Sequence, residues 1–161
     1  MWSSNYESGN AIRYYDTSAL LPLYLPEPAT AAAQTALERD FGQLVTSVIS
    51  PIELRSALAR YARDGLLSPE QAEAIFRRAQ LDLNHTPRRL ELTHDVIHEA
   101  LRLFTAQSRQ PMRTLDVLHV ATCLRYGTLG FVTNDRQQAR LAANTGLDVV
   151  WLGGDLQETA P

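Results

Sequence analysis

The chain has 161 residues, 45% of them hydrophobic and 20% charged, with a formal net charge of −3. This composition excludes a disordered polymer, and the length suits one domain that buries about two-thirds of its unfolded surface. One cysteine, Cys123, excludes an internal disulfide framework and a cysteine-rich zinc module. No apolar run approaches the ~20 residues of a membrane span, and residues 1–10 lack the apolar core of a secretory signal, so a cytoplasmic location is expected. All fifteen basic residues are arginine. The absence of lysine removes P-loop, Schiff-base and lysine-base chemistry, although an arginine-only set also follows from a GC-rich genome. With net acidity, any contact to nucleic acid must come from a local patch. Arg88–Arg89 and Arg109 with Arg113 are the candidates, and solvated surface explains either equally well.

In chain order, residues 12–15 read as a first strand, followed by a short helix from Ser18 that Pro22 disturbs and Pro26 closes. An alanine-rich helix is expected at 29–39, a second strand at 44–48, and helices opening at Ser50-Pro51 and Ser68-Pro69. Residues 90–92 suit a short third strand. In 93–106, Val96, Ile97, Ala100, Leu101 and Phe104 form one helical stripe. A helix over 115–126 stops at Gly127, a fourth strand covers 130–133, a helix 136–144, and a fifth strand 149–152. Strand-length apolar runs alternating with helices predict an α/β domain, a mostly parallel sheet of about five strands flanked by helices. The expected domain spans 11–152, with a flexible extension at 1–10 and a tail at 153–161.

Four acids take related positions in this layout. Asp16 ends the first strand, Glu53 lies in the first turn after strand two, Asp116 in the first turn of the 115–126 helix, and Asp135 just after strand four. The carboxyl ends of parallel strands share one edge, where ligands bind. Each acid also has a structural reading. Glu53 with Ser50, and Asp135 with Gln138, have capping spacing; Asp16 suits a turn, and Asp116 suits a helix dipole. Ser68-Pro69-Glu70-Gln71 has the same capping form with no chemistry attached. Asp116 resists the structural reading best, because its neighbours predict a helix buried nearly all round, where a carboxylate needs compensation. Crowded acids repel and raise one another's pKa, and Mg²⁺ relieves that conflict.

Asp16-Thr17-Ser18-Ala19-Leu20, Glu53-Leu54, Asp116-Val117-Leu118-His119-Val120-Ala121 and Thr133-Asn134-Asp135 together resemble the PIN-domain ribonucleases, most of all the VapC toxins of bacterial toxin–antitoxin pairs. The resemblance covers about residues 12–152. It implies a Rossmann-like sheet and metal-assisted hydrolysis of RNA phosphodiester bonds. Asp16, Glu53, Asp116 and Asp135 would bind Mg²⁺ or Mn²⁺, Asp16 and Asp116 innermost, with Thr133 and Ser18 in support. It also implies a homodimer and an antitoxin partner that blocks the site. Arg113 and Arg109 are then expected to contact RNA phosphates, and loss of Arg113 to weaken RNA binding without changing metal affinity.

Other motifs compete. His94 and His98 share a helix face in a shortened imitation of a zinc-protease motif, but no third ligand accompanies them. His119, three residues past Asp116, reads first as a packed core histidine and second as a neighbour of the acids. Cys123 reads as core, and His85 carries no signal. An aspartyl-phosphate phosphatase opening at Asp16 would need a lysine that the chain lacks. A non-catalytic binding module of the same fold remains the other alternative.

Overall fold

A computed structural model describes residues 12–40, 42–85, 88–107, 111–128 and 130–154. The expected extension at 1–10, Arg109, and 155–161 of the expected tail lie outside the described residues. Strands β1 (Arg13–Tyr15), β2 (Val45–Ser47), β3 (Arg88–Leu90), β4 (Gly130–Thr133) and β5 (Val149–Trp151) form one parallel sheet in the order β3-β2-β1-β4-β5. Strand β1 is therefore central, with Tyr15 opposite Val132 of β4 and Tyr14 opposite Val45 of β2. The chain builds outward in one direction through β2 and β3, then crosses back to β4 and β5. The reversal places a topological switch point between the carboxyl ends of β1 and β4.

Successive side chains of a strand point to opposite faces, and the two tyrosines of β1 divide the core accordingly. On the Tyr15 side pack α1 (Thr17–Leu20), a 3₁₀ turn (Leu21–Leu23), α2 (Thr30–Arg39), α3 (Ser50–Arg63) and α4 (Pro69–His85), through Leu20, Ala33, Leu54, Leu58 and Leu83. On the Tyr14 side pack α5 (His94–Ala106), α6 (Thr114–Tyr126) and α7 (Arg136–Ala143), through Val96, Leu103, Val117, Val120 and Leu141. The result is a three-layer doubly wound domain. Gly127 ends α6 at φ 63°, a left-handed conformation that returns its N–H to the last-turn carbonyls of Cys123 and Leu124. Asp40, buried at the end of α2, accepts bonds from Tyr15 Oη and Arg13 Nη1, each at 2.5 Å. This pair ties β1 to α2 and offsets a carboxylate at the unfavourable end of a helix dipole.

The expected elements are present with four corrections. The first helix begins at Thr17 rather than Ser18, because Asp16 caps it. Strand β3 lies two residues earlier than expected, since Arg88, Arg89 and Leu90 pair with Val45, Thr46 and Ser47. It is an edge strand whose charged side chains stay in solvent, so its backbone bonds leave no apolar run to read. The core face of α5 is Val96, Ala100 and Leu103, while Ile97 and Leu101 are 40% and 59% exposed. Rotation of α5 onto α6 selects that face. Helix α6 is buried from Val117 through Cys123, apart from part of Leu118, but its first turn, with Thr114 and Leu115, is exposed.

These orientations separate two leucines on one helix. Leu103→Ala should cost about 2–5 kcal/mol and Leu101→Ala within about 0.5 kcal/mol, read from urea midpoints at constant slope. Equal losses would contradict the orientation of α5.

Candidate functional site

Asp16 follows β1 directly and is fully buried. Its Oδ1 accepts bonds from the Ala19 backbone N–H and from Ser18 Oγ, both at 2.8 Å, so it caps α1. Its Oδ2 accepts a bond from Thr133 Oγ1 at 2.5 Å, across the gap between β1 and β4. The two hydroxyls are themselves fixed from below: the Asn134 N–H donates to Ser18 Oγ at 2.8 Å and the Asp135 N–H to Thr133 Oγ1 at 3.0 Å. Burial pushes the Asp16 carboxyl up to about 6; the charge of His119 and the three hydrogen bonds oppose that rise without cancelling it.

Asp135 divides its two oxygens between structure and site. Oδ1 caps α7 by accepting from the N–H groups of Gln137 and Gln138, at 2.8 and 3.1 Å. Oδ2 accepts from Nη2 of Arg113. The same guanidinium reaches Oδ2 of Asp116 through Nε at 2.8 Å, so Arg113 bridges the two acids. Desolvation raises the Asp116 carboxyl, Arg113 pulls it down, and the nearby Asp135 charge raises it again. Gln138 fastens this corner by donating to the Asp116 backbone oxygen at 3.4 Å. The expectation that Asp116 lies on a helix buried nearly all round is therefore corrected: it sits half-buried in the first turn of α6, and Arg113 supplies the compensation it needs.

Glu53 takes the opposite flank. Its Oε2 receives Thr17 Oγ1 and His119 Nε2, each at 2.5 Å. On the other side of the imidazole ring, Nδ1 meets Tyr14 Oη at 2.5 Å, and Tyr14 stacks on Phe131 of β4. A carboxylate only accepts, so Nε2 carries a hydrogen and donates it to Glu53. Burial works to raise Glu53, but the bond and charge of His119, with Thr17 and Arg113, hold it below the usual carboxylate range. Glu53 does not cap α3: Ser50 is buried and bonded instead to Thr46 Oγ1 at 2.7 Å. The Ser68 motif does form a reciprocal box with Gln71, at 2.7 and 3.1 Å, which separates the two look-alike sequences.

All four acids thus stand at the carboxyl edge of the sheet. Hydrogen bonds run from Asp16 through Thr133 to Asp135, and through Arg113 to Asp116. Glu53 joins through Thr17, the residue after Asp16, and His119, one turn beyond Asp116. Among the described residues, no three His, Cys, Asp or Glu side chains stand where one metal ion would meet them all. Internal donors hold them instead. His119 belongs to both of its readings, 2% exposed and bonded to Glu53; its spacing from Asp116 was the available signal. Thr17, inside the Asp16 motif, is the contact that sequence reasoning missed. Cys123 is buried, which pushes its thiol up to about 12. His94 and His98 meet Nε2 to Nε2 at 2.9 Å on the exposed start of α5, away from the acids. Arg88 and Arg89 lie on the edge strand, with β2 between them and β1.

Fold and site define a doubly wound α/β protein with a cluster of acids and hydroxyls at its switch point. The PIN-domain family model matches residues 13–144, and the chain belongs to that family. It is 33% identical over 129 residues to Ribonuclease VapC47 of Mycobacterium tuberculosis (strain CDC 1551 / Oshkosh), covering 77% of this chain and 85% of the relative. Similar solved structures include FitAcB from Neisseria gonorrhoeae, with TM-score 0.66, 17% identity, 88% of this chain and 98% of that one. A toxin–antitoxin complex from Klebsiella pneumoniae matches with TM-score 0.62, 18% identity, 89% of this chain and all of that one (100%). At those identities the structures establish the fold.

The raised Asp16 carboxyl has a thermodynamic consequence. The folded chain keeps this proton up to about pH 6 while the unfolded chain releases it near 3.8, so the stability present at lower pH is lost as pH rises through that interval. Asp16→Asn escapes this loss. Between about pH 4 and pH 7.5 in chelator, the variant should gain roughly 2–3 kcal/mol on the wild type, read from urea titrations. Parallel stability curves would show that the carboxyl is not raised.

Proposed function

We propose that this protein is a divalent-metal-dependent endoribonuclease that serves as the toxin of a toxin–antitoxin pair. The observation that carries the reading is a fully buried aspartate at the switch point, beside an Asp116–Asp135 pair that has drawn in a guanidinium. The family and the ribonuclease relative support RNA as the substrate. The toxin–antitoxin complex among the similar structures supports an antitoxin as partner, and a homodimer is part of the same reading.

The donors suit Mg²⁺ or Mn²⁺. They are carboxylate and hydroxyl oxygens, the hard ligands these ions prefer, and two of the carboxylates already share one positive charge. Asp16, Asp116 and Asp135 would close on the ion from their metal-free positions, with Glu53 nearby and Thr133 and Ser18 fixing Asp16. Such an ion would supply polarisation of a phosphate oxygen and a more acidic water for in-line attack on phosphorus. Glu53 is kept ionised by His119 and receives the proton of the attacking water at Oε1, since both its internal donors use Oε2. Arg113, 61% exposed beside Asp116 and Asp135, contacts a substrate phosphate.

Asp116→Asn and Asp16→Asn should each lower Mn²⁺-dependent cleavage of single-stranded RNA by about 100-fold or more while far-UV circular dichroism is unchanged. Full activity in either purified variant would defeat the assignment, as would cleavage that survives excess chelator.

A further inference from the structure

Arg113 does more in this structure than wait for a phosphate. Its guanidinium donates through Nε to Asp116 and through Nη2 to Asp135, two acids from different elements, 19 residues apart in sequence. Both bonds use Oδ2, and the other Asp135 oxygen is committed to the α7 cap. The bond to Asp135 is the main reason the guanidinium holds its proton even more firmly than usual. The acids at this corner therefore already have a cation, and it occupies the oxygen that Asp135 has left for a ligand. The Arg113 side chain is nonetheless 61% exposed, while those of Asp116 and Asp135 are 16% and 27% exposed. The acids are fixed by their helices, and the arginine is the member able to move.

We propose that Arg113 is an exchangeable internal counter-ion: it neutralises Asp116 and Asp135 in the metal-free protein, a divalent cation displaces it, and the released guanidinium then takes a phosphate of the RNA. The inference rests on the proposed metal site and adds a coupling to it. Two positive groups compete for the same carboxylate oxygens, so Arg113 weakens metal binding in the free protein. A phosphate that draws Arg113 away favours metal binding, and metal favours phosphate by the same factor, because coupling free energies are reciprocal. The metal site is thereby shielded until substrate arrives. This reverses the expectation that changing Arg113 leaves metal affinity untouched.

The test is Mn²⁺ titration by calorimetry on the full chain without RNA, comparing wild type, Arg113→Gln and Arg113→Lys, with Asp116→Asn in the Arg113→Gln background as control. The glutamine variant should bind Mn²⁺ about tenfold more tightly, with a larger Mn²⁺-induced rise in Tm, and lysine should fall between. The control should lose the gain. In the same variants a short RNA with non-hydrolysable linkages should bind more weakly, and Mn²⁺ should no longer strengthen its binding. Binding by Arg113→Gln but not by wild type also supports the exchange. Equal Mn²⁺ affinity in wild type and Arg113→Gln, with loss when Asp116→Asn is added to Arg113→Gln, overturns the exchange and leaves the metal site standing. Absence of binding in every form overturns both.

Discussion

A carboxyl group withdrawn from water where β1 meets β4 has to find every partner inside the protein, and Asp16 does so with one backbone N–H and two hydroxyls. Those partners come from α1 and from the end of β4, so satisfying one side chain fixes the start of a helix and the separation of two strands. Thr133 and Ser18 in turn accept from the backbone just before α7. The loop that carries Asp135 is thereby aligned to the loop that carries Asp16. A buried group left unsatisfied costs about 1–3 kcal/mol, more when charged, so this corner of the fold has little freedom to rearrange.

Around that fixed point the remaining charges are held in pairs. Asp116 and Asp135 share Arg113; Glu53 shares His119 and Thr17. The pairs differ in mobility. The His119 ring is locked between Glu53 and a tyrosine that is itself stacked in the sheet, whereas Arg113 reaches in from solvent. On one side of the acid cluster stands a carboxylate with a buried donor, and on the other a pair of acids bridged by a largely exposed arginine. This asymmetry suits the proposed function, in which a cation and a phosphate enter while a proton acceptor stays in position.

Much of this arrangement was legible in the sequence. Fully buried parallel strands such as β4 read as continuous apolar runs, and Asp16 and Asp135 stand directly after strands, where the sheet geometry alone puts them on one edge. Glu53 and Asp116 were placed by the helix starts. The edge strand β3 was displaced in the reading because its arginines face solvent and its stability lies in backbone pairing to β2, which composition does not encode. The core face of α5 was misjudged because Leu101 and Leu103 are equally apolar, and only packing against α6 distinguishes them. Arg113 was read as a phosphate contact or solvated surface and not as a partner of the acids, because Asp135 is 22 residues away and is brought near by the return of the chain through β4. Asp135 itself shows that a cap and a site residue are not exclusive, since a carboxylate has two oxygens to spend.

The central proposal is that Asp16, Asp116 and Asp135, with Glu53 alongside, close on one divalent cation when Arg113 gives way. Anomalous scattering from crystals grown with Mn²⁺ addresses it directly. The account predicts a single strong peak between the ends of β1 and β4, within coordination distance of carboxylate oxygens of at least two of these aspartates, with the Arg113 guanidinium withdrawn. A peak confined to His94 and His98, or none with Arg113 still bridging Asp116 and Asp135 at saturating Mn²⁺, would contradict it.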